Sequence, residues 1–71
     1  MASEIKAHVA GTVWKIEVKV GDSVEEGTVV AILESMRVEM PVESEEDGKI
    51  AAVLVRKGQA VGEGEAMFEL E

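Results

Sequence analysis

One short segment near the middle of the chain holds the residues whose chemistry is most specific. It reads Glu34-Ser35-Met36-Arg37-Val38-Glu39-Met40, and Arg37 is its only basic residue. A guanidinium stays protonated and delocalised, so Arg37 is a poor nucleophile. We therefore expect this segment to present a side chain to another protein without reacting itself.

The rest of the chain offers no alternative reactive centre. It has no cysteine, and its single histidine, His8, cannot build a metal centre unaided. The acidic run 43–47 lacks the ligand spacing of an EF-hand and is typical of a turn. The glycines lie between predicted strands and not before a helix, which excludes a dinucleotide-binding fingerprint. Because no residues pair as nucleophile and base, we predict that the chain is not an enzyme.

Composition narrows the class of protein and its partners. The 71 residues correspond to one domain, 1–71, with a small core. A net charge of −8, from 15 acidic and 7 basic residues, repels phosphate backbones, so we expect no nucleic-acid partner. No apolar run approaches the roughly 20 residues of a membrane span, and the first residues do not resemble a signal peptide. We expect a cytoplasmic protein with no membrane partner.

The hydrophobic pattern predicts strands throughout the chain. Three segments alternate apolar and polar residues, and a fourth is a continuous apolar run that is typical of a buried strand or a barrel wall. The alternating segments are 16–20, 38–42 and 53–55, and the apolar run is 29–33. Pro41 has no N–H to donate, so its strand should lie at a sheet edge or a ladder gap. The fold class is predicted to be all-β.

The two halves of the chain repeat each other. A shift of 37 positions aligns 11–34 with 48–71 without a gap and superposes three glycines, Gly11, Gly21 and Gly27, on three others. Glycines matter most in this match because turns that need a positive φ admit little else. Two such units can pack as the two sheets of a sandwich or flattened barrel. The link between them is a tight turn at 35–37, with the Arg37 side chain near its tip and in solvent.

These motifs together resemble the biotinyl/lipoyl attachment domain family, and within it the small stand-alone attachment proteins. The resemblance covers essentially the whole chain and is carried by 11–15, 20–27, 32–42 and the late glycine segments at 48, 58–61 and 62–64. It implies a flattened barrel of two four-stranded antiparallel sheets with an exposed hairpin. That hairpin usually reads Met-Lys-Met in biotin carriers and Asp-Lys-Ala in lipoyl domains. Met36 favours the biotin branch.

The resemblance also implies a function and a set of partners. Family members carry biotin as a swinging arm on the hairpin lysine, for biotin-dependent carboxylation. Their partners are a biotin protein ligase and the subunits of a carboxylase or carboxyltransferase. In this chain Arg37 holds the lysine position, and Val38 replaces the second methionine. The ligase-recognition residues that the resemblance implies are Glu34, Ser35, Met36, Val38, Glu39 and Met40. We therefore predict a biotin carboxyl carrier-like protein that bears no covalent biotin.

Two other interpretations stay open. The chain could be a binding or regulatory module of the same fold, or a lipoyl-type carrier, although the latter needs the same lysine. No other lysine is expected to substitute, because all five lie in predicted strands or at other turns: Lys6, Lys15, Lys19, Lys49 and Lys57. The two aromatic residues, Trp14 and Phe68, are expected to be core or sheet-covering residues and not a ligand platform.

Overall fold

The computed structural model describes residues 3–71 and contains eight β-strands. In chain order they are β1 (Ser3–Lys6), β2 (Gly11–Ile16), β3 (Ser23–Val24), β4 (Val29–Ser35), β5 (Val38–Glu43), β6 (Gly48–Val53), β7 (Ala60–Val61) and β8 (Ala66–Leu70). The described part of the chain contains no helix with the length and apolarity that crossing a bilayer requires.

The strands form two antiparallel sheets of four strands each. One sheet has the order β1-β8-β6-β3 and the other has the order β5-β4-β2-β7. We call the second one the hairpin sheet, because β4 and β5 are joined by the turn at residues 36 and 37. The predicted fold class, all-β with two four-stranded antiparallel sheets, is confirmed. Pro41 lies on β5 at the free edge of the hairpin sheet, as a residue without an N–H requires.

The core lies between the two sheets and is made of residues from both. Phe68 is its largest side chain and is completely buried. The other buried apolar residues are Ile5, Ala7, Val13, Val24, Val30, Ala31, Leu33, Val42, Ile50, Val55, Val61, Met67 and Leu70. A shift of 37 positions relates Ala31 to Phe68, and both are fully buried. At this pair of positions the second half therefore supplies the larger buried side chain.

Two of the predicted strands are placed wrongly. The alternation over 16–20 does not continue as a strand, because β2 ends at Ile16 and Val20 is 61% exposed in a turn. Likewise β6 ends at Val53, and Val55 is buried outside any strand. The Asp22 carboxylate accepts a hydrogen bond from the N–H of Lys19 at 3.0 Å, which closes a local turn where the pattern suggested continued strand.

Trp14 is not a core residue, in contrast to Phe68. It lies in an irregularity of β2, where Val13 pairs with Leu33 and Lys15 pairs with Ile32, so that Trp14 is the extra residue. Such a bulge changes the direction in which side chains point. Val13 is buried whereas Trp14 is 43% exposed, which places the indole on the outside of the hairpin sheet. Of the two options that the sequence left, Trp14 is therefore the sheet-covering residue.

The backbone outside the strands follows the same plan twice. Fourteen of its hydrogen bonds fall into seven pairs related by a shift of 37 positions. For example, the N–H of Gly21 donates to the carbonyl of Ile50, and the N–H of Gly58 donates to the carbonyl of Val13. The corresponding turns place Gly21 and Gly58 at φ 97° and 90°. Glycine is needed at these positions because other residues are strained there.

Gly64 and Gly62 provide a matched test of this requirement. A Cβ would meet nothing within 4 Å at either residue, but only Gly64 has a positive φ, of 85°. We expect Gly64→Ala to lower the free energy of unfolding by about 1–2 kcal/mol, the cost of a left-handed conformation for an L-residue. Gly62→Ala should be neutral or stabilising by up to about 1 kcal/mol. Urea denaturation followed by circular dichroism measures both, and equal effects would contradict the conformational argument.

Candidate functional site

The seven-residue segment singled out in the sequence forms a hairpin, which we call the 34–40 hairpin. Glu34 and Ser35 end β4, whereas Val38, Glu39 and Met40 begin β5. Ser35 lies opposite Val38, Glu34 opposite Glu39 and Leu33 opposite Met40. Only Met36 and Arg37 lie between the paired residues, so the connection is a two-residue turn.

The turn has an unusual backbone for its sequence. Met36 and Arg37 both have positive φ, at 51° and 65°, and they are the only non-glycine residues in the described part of the chain that do. Two central residues with positive φ are characteristic of the type I′ turn, which matches the twist of the flanking strands and normally contains Asn-Gly. Each non-glycine residue in this conformation costs on the order of 1–2 kcal/mol. The turn is therefore strained by the two long side chains that it carries at its tip.

The side chains at the tip extend into solvent. Met36 is 93% exposed, Val38 is 56% exposed, and Arg37 is also exposed. Within residues 3–71 the Arg37 guanidinium has no ion pair or side-chain hydrogen bond, because the single ion pair found there joins Lys15 to Glu17. The turn thus presents a guanidinium and a thioether that are free to contact another protein.

The base of the hairpin is held closely by the neighbouring strand. Gly11 begins β2, and a Cβ on it would lie 2.8 Å from the Glu34 carbonyl oxygen, so only glycine allows this approach. At the same level of the hairpin, Glu34 on β4 lies opposite Glu39 on β5, and both residues are exposed. Opposed like charges destabilise a strand pair slightly. This pair therefore does not serve the stability of the hairpin.

The residues present do not fit a covalently attached acyl group. Amide formation needs an amine that can become neutral, and the tip carries a guanidinium instead. The five lysines are all exposed but lie elsewhere: Lys6 on β1, Lys15 on β2, Lys49 on β6, and Lys19 and Lys57 in the segments before β3 and β7. The hairpin can therefore bind through contacts, but it offers no lysine amine for amide formation.

Comparison with known proteins identifies the class of this barrel and its hairpin. Residues 1–70 match the biotin/lipoyl family model, which is described as "Biotin-requiring enzyme". The chain belongs to the biotin/lipoyl family. The chain is 41% identical over 66 residues to the Biotin/lipoyl attachment protein of Bacillus subtilis, a match that covers 93% of this chain and 90% of that protein.

Other members of the biotin/lipoyl family contain this unit as a small part of a large enzyme. The chain is 36% identical over 67 residues to the biotin-dependent acyl-coenzyme A carboxylase alpha3 subunit of Mycobacterium leprae, covering 94% of this chain but 11% of that subunit. The crystal structure of the Kluyveromyces lactis urea carboxylase matches with a TM-score of 0.92 and 32% identity, covering all of this chain and 6% of that one. This biotin/lipoyl domain is thus like the biotin carboxyl carrier domains of carboxylases.

Sequence reasoning missed one feature of this biotin/lipoyl domain and left another undecided. It missed the opposed Glu34–Glu39 pair, which follows from the strand register. It did not decide whether Trp14 is a core or a sheet-covering residue, because that depends on a bulge that the residue pattern does not mark. A signal for the pair was available in retrospect, because a two-residue turn at Met36 and Arg37 fixes Glu34 opposite Glu39.

Relief of the strain in the turn should stabilise the domain. We expect the double change Met36→Asn, Arg37→Gly to raise the free energy of unfolding by about 1 kcal/mol, because Asn-Gly suits a type I′ turn. The control is Lys57→Gly, at an exposed turn residue without a positive φ, which should lower it by up to about 1 kcal/mol. Thermal and urea unfolding measure both variants, and a destabilised Asn-Gly variant would contradict the strained turn.

Proposed function

We propose that this protein acts as a biotin carboxyl carrier-type module of biotin-dependent carboxylation, and that it carries no biotin itself. The observation that supports this most is the exposed Arg37 guanidinium at the tip of the 34–40 hairpin, where the family resemblance expects the acceptor lysine. Arg37 cannot form the amide because its guanidinium stays protonated. The module is then a partner-binding protein and not an enzyme.

The proposed partners are a biotin protein ligase and the subunits of a biotin-dependent carboxylase. The carboxylase subunits are supported by relatives, since the matched unit lies within proteins named as carboxylases. The ligase is proposed from the family resemblance alone. The residues assigned to ligase recognition are those of the 34–40 hairpin around Arg37. Met36 and Val38 offer the exposed apolar surface there, and Glu34 and Glu39 offer the charge.

A second candidate function is a non-biotinylated binding or regulatory module of the same fold. The observation that favours it is the absence of any intramolecular ion pair for Arg37 within residues 3–71, which leaves all its donors for a partner. Val38 also points this way, because a stiff β-branched residue replaces the flexible methionine that the family resemblance expects.

Intact mass spectrometry after incubation with a biotin protein ligase, biotin and ATP tests the proposal. The unaltered chain should gain no mass, whereas the Arg37→Lys chain should gain one biotinyl group. Biotin on the unaltered chain would contradict the assignment of Arg37. If the Arg37→Lys chain stays unmodified both with Val38 and with Val38→Met, the proposal is rejected in favour of the second candidate.

A further inference from the structure

The two halves of the chain, residues 3–35 and 38–71, are interleaved in both sheets. In one sheet β1 and β3 of the first half flank β8 and β6 of the second, and in the other sheet β5 and β7 of the second half flank β4 and β2 of the first. Four of the six strand pairings therefore join one half to the other. Each half alone would keep a single strand pair, which is marginally stable in water, so each half needs the other in order to fold.

The halves are linked covalently by one short and strained connection, the turn at Met36 and Arg37. The chain has no cysteine, so no disulfide adds a second link. Both residues of the turn have positive φ, and an extended hinge would return them to the negative φ values that L-residues favour. Short hinge loops under strain favour domain swapping, the exchange of an identical element between two copies. The turn therefore has the properties of a hinge for exchange of the halves.

An open hinge also changes the charges around Arg37. If β4 of one copy pairs with β5 of another in the register seen here, Met36 of one copy lies opposite Arg37 of the other. The Arg37 side chain is then on the same face as its own Glu39 and diagonal to Glu34 of the second copy, which a long side chain can reach. In the single chain these two carboxylates have no cationic partner among residues 3–71. The open hinge thus places a guanidinium beside each opposed carboxylate pair.

We propose that this protein forms a domain-swapped dimer through the turn at residues 36 and 37, in which the first half of each copy folds with the second half of the other. A net charge of −8 on each copy opposes association, so the monomer should predominate unless folding takes place at high protein concentration. The dimer has no tight turn at its hinge, and only the monomer presents Met36 and Arg37 at a tip. A protein that binds this tip therefore selects the monomer.

Proline in the hinge should favour the dimer. Arg37→Pro fixes φ of residue 37 at about −65° and disfavours all but extended conformations of the residue before it, so the turn cannot form whereas the open hinge can. After refolding at high protein concentration, size-exclusion chromatography with light scattering should show mainly dimer for the Arg37→Pro chain and mainly monomer for the unaltered chain.

Lys57→Pro is the matched control for Arg37→Pro. It removes the same charge, and it lies in a turn within the second half that is closed by a hydrogen bond from the Gln59 N–H to the Arg56 carbonyl. Gly58 has a φ of 90° there, so the turn favours proline at the position before the glycine. The Lys57→Pro chain should match the unaltered chain. An Arg37→Pro chain that folds as a monomer, or that stays unfolded where the control folds, would overturn the proposal.

Relief of the strain in the turn should have the opposite effect. The double change Met36→Asn, Arg37→Gly suits a type I′ turn, and each dimer opens two turns, so the dimerisation constant should fall by about tenfold or more. The dimer fraction after refolding at equal concentration measures this change. A fraction as large as that of the unaltered chain would overturn the role of the strained hinge.

A pair of introduced cysteines distinguishes exchange of halves from contact between surfaces. Glu4 on β1 lies opposite Glu69 on β8, so Glu4→Cys with Glu69→Cys would join the two halves far along the chain from the hinge. After oxidation, the dimer fraction should run as two linked chains on a non-reducing gel, and the monomer fraction as a single chain. A dimer fraction that runs only as single chains would show association without exchange and overturn the proposal.

The outcome is independent of the biotinylation assay. If the Arg37→Lys chain accepts biotin but no variant yields a cross-linked dimer, the exchange is wrong and the proposed function stands. If the cross-linked dimer forms but the Arg37→Lys chain stays unmodified with either valine or methionine at position 38, the exchange stands and the proposed function is rejected.

Discussion

Replacement of Arg37 by lysine is expected to turn the chain from a non-substrate into a substrate of a biotin protein ligase. The ligase supplies biotinyl adenylate, and the neutral lysine Nζ attacks its carbonyl carbon; a C–N bond forms, AMP leaves and the nitrogen loses a proton. The turn is already formed and exposed, so the new amine would be displayed without any change in fold. Intact mass should show complete conversion of the variant and none of the unaltered chain.

Two further variants identify the cause of this gain. Arg56→Lys adds a lysine in the exposed segment before β7 and should accept no biotin, because that segment lacks the 34–40 hairpin. Arg37→Lys with Val38→Met should be modified faster than the single variant, since the flexible thioether then replaces a β-branched side chain next to the amine. Modification of the Arg56→Lys chain would show that the ligase does not require the hairpin.

Truncation of Phe68 is expected to cause the largest loss of stability. Phe68 is fully buried and is the largest side chain of the core, and Phe→Ala changes at such positions cost about 3–5 kcal/mol through lost burial and the cavity left behind. A domain of this size has a total stability of roughly 4–10 kcal/mol. The Phe68→Ala chain should therefore be largely unfolded at moderate temperature, and urea denaturation would show a strongly reduced midpoint.

Leu54→Ala is the control for this change. Leu54 is 43% exposed, so its truncation should lower the free energy of unfolding by less than about 1 kcal/mol. Phe68→Leu keeps most of the volume and should cost about 1–1.5 kcal/mol. A Phe68→Ala variant that unfolds at the same urea concentration as the Leu54→Ala variant would show that Phe68 does not organise the core.

The fold could be predicted because its signals are local. The apolar run 29–33 lies within β4, and five of the seven glycines occur where a turn needs a positive φ or, at Gly11, where two strands approach closely. The alternation at 16–20 was misleading because alternation alone does not distinguish a strand from a turn with a buried side. There the Lys19–Asp22 hydrogen bond decided the outcome, and it depends on a side chain that the hydrophobic pattern ignores.

The position of the 34–40 hairpin could be predicted, but not its surroundings. The turn at Met36 and Arg37 followed from the sequence, whereas the outer face of the hairpin sheet did not. That face depends on register, because the bulge at Trp14 and the pairing of Ile32 with Pro41 bring residues together from three strands. Neither feature leaves a local mark on the residue pattern.

The pairing of the two ends of the described chain allows a rearranged molecule. Ser3 lies opposite Leu70 in the same register as Met40 lies opposite Leu33. A short linker that joins these ends as a hairpin would make the chain cyclic. The barrel would then have a hairpin at each end, and each hairpin could present one side chain. Cutting such a cyclic chain at the original turn, residues 36 and 37, would yield a circular permutant whose exposed hairpin lies at the opposite end of the barrel.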